Sequence, residues 1–183
     1  MNVTETKLAN LYIAESASIS DQRGTFSRYF CRQTLQAILQ ARQIVQINHS
    51  STASVGAVRG MHTQYPPHAE VKMVRCLAGR VWDVAVDLRH DSPTWLQWHA
   101  EELSATNNRM MIIPEGFAHG FQVLEPASQL LYLHTAYYTP TAELGIRYDD
   151  PALAIDWPLP VSDLSQRDKS HALIGQDFQG IVL

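Results

Sequence analysis

The chain has 183 residues and a mass of 20.6 kDa, which suits one domain; 45% hydrophobic against 17% charged residues is enough for a core, with surface left over for an oligomer contact. A net charge of −4 and a pI near 6.0 argue against nucleic acid as a bulk partner, although a few arginines and lysines in one cleft still suffice for a local anion site. Cys31 and Cys76 make neither a disulfide framework nor a paired metal motif, the start "MNVTETKLAN" is not a leader, and no window approaches a membrane span, so a cytoplasmic setting is expected.

In chain order, the helical period is scarce. "QTLQAILQAR" (33–42) predicts a helix with Leu35, Ile38 and Leu39 on one face. "QIVQINHS" (43–50) alternates as a strand does, and "VKMVRCL" and "RVWDVAVDLR" flank a turn at Ala78 and Gly79 that reads as a tight hairpin. In the second of these, Trp82, Val84, Val86 and Leu88 share one face, and Asp83, Ala85 and Asp87 the other. Further strands are predicted at 96–103, 109–114, 120–124 and 129–138, broken by "ATNN" and "PEGFAHG". The tail from Tyr148 is richer in Asp and Pro, and "LSQRDKSHAL" reads as a short helix or a loop packing back. Short strands at this spacing predict an all-β closed double sheet.

A small barrel either fills its interior or holds one ligand there. Three strand-like runs place a basic side chain inside: His62 in "RGMHTQ", Lys72 in "EVKMVR" and His119 in "GFAHGF". A strand histidine is commonly a hydrogen-bonded core residue, but a lysine is almost never fully buried without a partner. Pro114, Gly116 and His119 are spaced as P-x-G-x-x-H, which resembles the second motif of the cupin superfamily. The first cupin motif, H-x-H with a following carboxylate, is altered here to His62-Thr63-Gln64, and Lys72 stands near the acidic position. An ammonium opposes a divalent ion. A metal-dependent cupin with His62, Gln64 and His119 as a partial ligand set is therefore kept as an alternative to a site with no metal and no cofactor.

Without a metal, these groups form a proton-transfer set. A histidine of ordinary pKa, ~6.5, suits a base near neutrality, and a lysine stabilises the enolate left by removing a proton next to a ketone. Tyr132 in "QLLYLHT" is the strand tyrosine placed to return a proton, or else an aromatic that fills the barrel. Base, oxyanion stabiliser and acid together describe epimerisation or isomerisation alpha to a carbonyl.

In order along the chain stand "RGTF" (23–26), "QIN" (46–48), "VRGMHTQYPPHAEVKMVRCLAGRVWDVAVDLRHDSPT" (58–94), "IPEGFAHGFQVL" (113–124), "YYTP" (137–140), "DDPALAIDWP" (149–158) and "LSQRD" (164–168). This series closely resembles the dTDP-4-dehydrorhamnose 3,5-epimerase family over about residues 8–170. The resemblance implies a single cupin-type jelly-roll domain over 1–183. It implies a homodimer that exchanges about 30 N-terminal residues, about 25 C-terminal residues packing back, and a dTDP-4-keto-6-deoxyhexose substrate. It implies His62 as base, Asp168 as the carboxylate that orients it, Tyr132 as acid and Lys72 as enolate stabiliser, with His119 beside the keto-sugar. Arg59 and Arg23 resemble diphosphate and nucleotide ligands, and Phe26, Gln46, Asn48 and Tyr138 would flank the deoxythymidine. "RGTFSR" departs from the family pattern by placing Arg28 where an acidic residue is usual, which leaves nucleotide preference open. "LLYLHT" departs at Leu133 and His134. Epimerisation at C3 alone and non-catalytic sugar-nucleotide binding are the other outcomes open to such a chain.

Overall fold

The structure, a computed structural model, describes residues 1–183. Apolar runs punctuated by turn residues give a chain that is nearly all strand: β1 (Asn2–Glu5), β2 (Tyr12–Glu15), β3 (Ser18–Asp21), β4 (Gly24–Ser27), β5 (Gln46–Thr52), β6 (Val58–Gln64), β7 (Lys72–Ala78) and β8 (Arg80–Asp87). After these come β9 (Trp98–Ser104), β10 (Arg109–Ile113), β11 (Phe117–Val123), β12 (Ser128–His134) and β13 (Glu143–Gly145). Helix α1 (Gln36–Leu39) and helix α2 (Gln166–Ser170) are short. The helix expected over 33–42 thus shrinks to one turn, ended by Gln40 at φ 50°, with Leu35 and Leu39 buried as its one-sided pattern requires. No helix is long and apolar enough to cross a membrane.

Two antiparallel sheets face each other in an all-β jelly roll. One has the order β1-β2-β10-β7-β12-β5, the other β13-β6-β11-β8-β9, and β3-β4 forms a separate hairpin. Strands β1 and β2 join the chain's own sheet through the β2–β10 pairing. Val74, Cys76, Met111 and Leu130 from the first sheet meet Val81, Ala85, Phe121 and Val123 from the second in the central core. Burial at such positions contributes about 1.5–3 kcal/mol per large side chain.

Each sheet is covered on its outer side as well. The tail residues Leu153, Ile155 and Ile181 cover Val84 and Val86 of β8 and Leu88 just after it, while Leu35 and Leu39 cover Met73, Met110 and Leu133. That double burial accounts for the low charged content. The two faces of β8 are as its alternation predicts, but the face with Asp83 and Asp87 is the interior one.

The turn at Gly79 is not a hairpin. β7 belongs to one sheet and β8 to the other, so the chain crosses between layers there. Gly79 has φ 71°, and a Cβ on it would collide with Ser128 Oγ. A corner of a sandwich and a hairpin present the same local signal, a small residue of positive φ between two apolar runs.

Gly60 has φ 127°, and a Cβ there would lie 2.5 Å from Gly120 Cα. β6 and β11 therefore approach backbone to backbone where their register shifts between His119 and Phe121. Such an irregularity re-aims nearby side chains, and here it lies beside His62 and His119.

Candidate active site

Helix α2 starts at Ser165, whose Oγ accepts the Asp168 backbone N–H at 3.0 Å, an N-cap that fixes the first turn. This sets Asp168 against β6. Its Oδ1 lies 2.8 Å from His62 Nε2, and its Oδ2 accepts the Gly60 N–H at 3.3 Å. Burial pushes the Asp168 carboxyl up, but the His62 hydrogen bond and charge, with Gly60 and Ser165, outweigh it and bring the pKa down to about 2. The carboxylate only accepts, so His62 carries its proton on Nε2 and keeps the Nδ1 lone pair. Arg167 Nη2 stands 3.1 Å from the same Nε2, while its Nη1 donates to Glu143 Oε2 at 3.2 Å. Nη2 and Nε2 are both N–H groups in that tautomer, so the carboxylate contact is the bond and the guanidinium is a neighbour.

His171 packs edge-on to His62, with ring centroids 5.8 Å apart, in space left by Gly145. Its Nε2 lies 3.5 Å from Asp168 Oδ1 without a hydrogen bond, and burial first, then the His62 charge, lowers its pKa. His62, Asp168 and His171 offer three donor atoms within 4.8 Å of one another, but the Arg167 cation beside them disfavours a divalent ion.

His62, Arg59 and His119 belong to the β6-β11 side, and the other sheet supplies the facing wall with Tyr132 and Lys72. Tyr132 on β12 bonds Ser50 Oγ at 3.0 Å, and burial pushes its phenol well above the ordinary value despite Ser50 and the more distant Arg59 charge. It therefore stays protonated through the neutral range. His119 lies edge-on to Tyr132 at 6.2 Å and donates from Nε2 to buried Asp83 at 2.8 Å. Burial lowers the His119 pKa, Asp83 opposes that, and Lys72 and His62 add to it, so its imidazole is neutral. Lys72 on β7 has its Nζ 3.3 Å from Glu70 Oε1. Arg59 is aimed by Thr52, which accepts from Nε at 2.9 Å.

These groups surround a cavity of about 880 Å³ lined by His62, Lys72, His119, Tyr132, Arg59 and Asp168 among others. An adjoining cavity of about 300 Å³ shares His62, Lys72 and Asn48 and adds Gln46 and Tyr138. Arg23 and Phe26 line neither cavity. They are exposed on the β3-β4 hairpin, where Arg23 binds Asp21 at 2.5 Å and Phe26 is 68% accessible. The partial metal set is not assembled: Gln64 spends its amide on His68 O, Tyr137 O and the Thr139 N–H. Asp83, Ser50, Glu70, His134 and Arg167 were not among the sequence candidates. Asp83 has a local signal, a charge alternating with valines on a core strand, and His134 stands out only as a departure from the family pattern.

A family model described as dTDP-4-dehydrorhamnose 3,5-epimerase matches residues 5–176. The epimerase of that name from Pseudomonas aeruginosa is 43% identical over 171 residues, 92% of this chain and 93% of its own. The crystal structure of a dTDP-6-deoxy-D-glucose-3,5-epimerase from Legionella pneumophila, in complex with dTDP-4-keto-L-rhamnose, superposes with a TM-score of 0.90 at 40% identity, covering 98% of this chain and 97% of that one. A 3′-monoepimerase from Streptomyces bikiniensis, in complex with dTDP-quinovose, gives 0.85 at 27% identity, covering 92% and 85%. With the His62–Asp168 pair and Tyr132 in one cavity of a jelly roll, and with these likenesses over nearly the whole chain, the protein belongs to the dTDP-4-dehydrorhamnose 3,5-epimerase family.

Proposed function

We propose that the chain epimerises a dTDP-4-keto-6-deoxyhexose at C3 and C5 by proton abstraction next to the C4 ketone. The observation that carries this reading is one cavity in which a histidine on one sheet, paired with the α2 carboxylate, faces a protonated tyrosine on the other sheet. His62 Nδ1 takes the C3 proton, and Asp168 stabilises the imidazolium that results. The electron pair moves into the C4 carbonyl, whose enolate oxygen faces the Lys72 ammonium. Tyr132 then delivers its proton to C3 from the opposite side, which inverts the centre. Exchange with solvent returns His62 to the free base and Tyr132 to the phenol, and the same cycle at C5 follows.

Arg59 binds the diphosphate, His119 contacts the keto-sugar, and Asn48, Gln46 and Tyr138 flank the nucleotide in the smaller cavity. A guanidinium fork suits two phosphate oxygens. We read the protein as a cytoplasmic homodimer in which the β3-β4 hairpin reaches the neighbouring protomer's site with Arg23 and Phe26. Ile19 and Phe26, paired across that hairpin, are 69% and 68% exposed, an apolar pair that gains from cover.

The test is deuterium incorporation from D₂O into dTDP-4-keto-6-deoxyglucose, followed by NMR at each ring position. Exchange at C3 and C5 is expected. The likeness to a 3′-monoepimerase makes C3-only chemistry the second reading, which exchange confined to C3 would establish. Absence of exchange at both carbons, with dTDP still bound, would replace catalysis with sugar-nucleotide binding.

A further inference from the structure

Between the two cavities lies a second set of buried ionisable groups that the proton chemistry of His62 does not use. Strand β12 has β5 on one side and β7 on the other. Its His134 stands opposite Gln46 on β5 and Lys72 on β7, and Tyr132, two residues earlier, shares its face. The Tyr132 and His134 rings stack with centroids 6.1 Å apart and planes at 19°.

Both ring nitrogens of His134 are used. Nδ1 lies 2.7 Å from Glu70 Oε2, so it carries a proton and donates. Nε2 lies 3.3 Å from Asn48 Nδ2 and accepts; the Asn48 amide is oriented by Gln46, which donates to its Oδ1 at 3.3 Å. The other oxygen of Glu70 faces the Lys72 ammonium at 3.3 Å. The side chains of His134, Glu70 and Lys72 are only 10%, 11% and 13% exposed. An unbroken path therefore runs Asn48–His134–Glu70–Lys72, and Asn48, His134 and Lys72 each line both cavities.

We propose that His134 and Glu70 are positioning residues: they aim the Lys72 ammonium into the larger cavity and couple it, through Asn48, to occupancy of the smaller one. Glu70 divides its two oxygens between two donors. Without the His134 bond the carboxylate is free to turn wholly onto Lys72 and screen the charge meant for the enolate. Occupancy that pulls on Asn48 acts on His134, and so on the carboxylate that holds Lys72. Burial raises the Glu70 pKa, but His134 and Lys72 together hold it below the ordinary value, in keeping with a carboxylate placed between two donors.

This rests on the epimerase reading above, and the experiment separates the two. An asparagine amide imitates histidine Nδ1 and a glutamine amide imitates Nε2, so His134→Asn keeps the Glu70 bond and His134→Gln keeps the Asn48 bond. His134→Gln is expected to lower kcat about tenfold with KM and the dTDP Kd within about twofold, and His134→Asn to raise KM and the dTDP Kd about three- to tenfold with kcat nearly kept. Glu70→Gln, which removes the charge and one acceptor while keeping the shape, should follow His134→Gln. Kinetics use dTDP-4-keto-6-deoxyglucose, and dTDP binding is measured by calorimetry. Parallel losses in kcat and KM across the variants, or wild-type kinetics in all three, would overturn the proposal while leaving a wild-type enzyme that exchanges deuterium intact. A wild type with no exchange would instead overturn the epimerase reading, and unsplit dTDP Kd values would then remove the coupling too.

Discussion

The His62–Asp168 and His119–Asp83 pairs are both closed at 2.8 Å and meet the same cavity, yet their surroundings differ in kind. Asp168 has its second oxygen on a backbone N–H and a cation, Arg167, close by. His62 is 23% exposed at the side chain. Asp83 is fully buried, and its Oδ2 has no hydrogen-bond partner. A supported carboxylate beside a reachable imidazole suits the base role proposed for His62, because it would stabilise the imidazolium formed there. A dry pair favours a neutral histidine that only donates or accepts a hydrogen bond. Distance alone would call the two pairs equivalent; desolvation decides that they are not.

The comparison is tested hardest at His62. His62→Ala should lower deuterium exchange about a thousandfold or more while dTDP still binds, since general base catalysis contributes roughly 10²–10⁴. Retained turnover would pass the base role to another group, with His119 first in line. Asp168→Asn should cost about a hundredfold in kcat, because the amide no longer stabilises an imidazolium.

The same variant reports on stability. The Asp168 pKa is about 2 when folded, below the ordinary ~3.9, so its contribution is present above about pH 4 and lost as pH falls towards 2. That shift corresponds to about 2.5 kcal/mol. Urea unfolding of wild type and Asp168→Asn at pH 7, 4.5 and 3 should show a gap that narrows with acid; a constant gap would mean the carboxylate is not held by charge. For the buried pair, His119→Asn should cost about tenfold in kcat/KM without moving the pH profile. A moved profile would make His119 a titrating group after all. The smallest folded-state effect is expected at Arg23→Ala, whose exposed pair with Asp21 adds little. Its melting temperature should be unchanged while KM rises, and a mixture with His62→Ala should regain activity if each hairpin serves its neighbour.

His62, Lys72 and Tyr132 were legible because each interrupts an apolar strand, and Asp168 only through the motif around it. Asp83 was visible as alternation, but its partner was not, since His119 lies two strand crossings away in sequence. Glu70, His134 and Arg167 act through neighbours that register alone brings together, and no spacing along the chain encodes register between distant strands. The Gly79 corner was misread for the same reason: local sequence names the turn, and the layers on either side are set by packing. The short α1 kept its predicted face and lost its length, because a single buried turn meets the packing need of Leu35 and Leu39.

The proposed base His62 and the carboxylate paired with it, Asp168, are 106 positions apart, one on a core strand and the other on a one-turn helix in the tail. Native-state hydrogen exchange should find α2 opening at lower free energy than the sheets beneath it, since short, partly solvated segments are the first to unfold locally. Each such opening separates Asp168 from His62 while the barrel stays whole. The enzyme therefore has an inactive, fully folded-core state within reach of ordinary fluctuations, and a ligand that fastens the tail would raise activity without touching the chemistry.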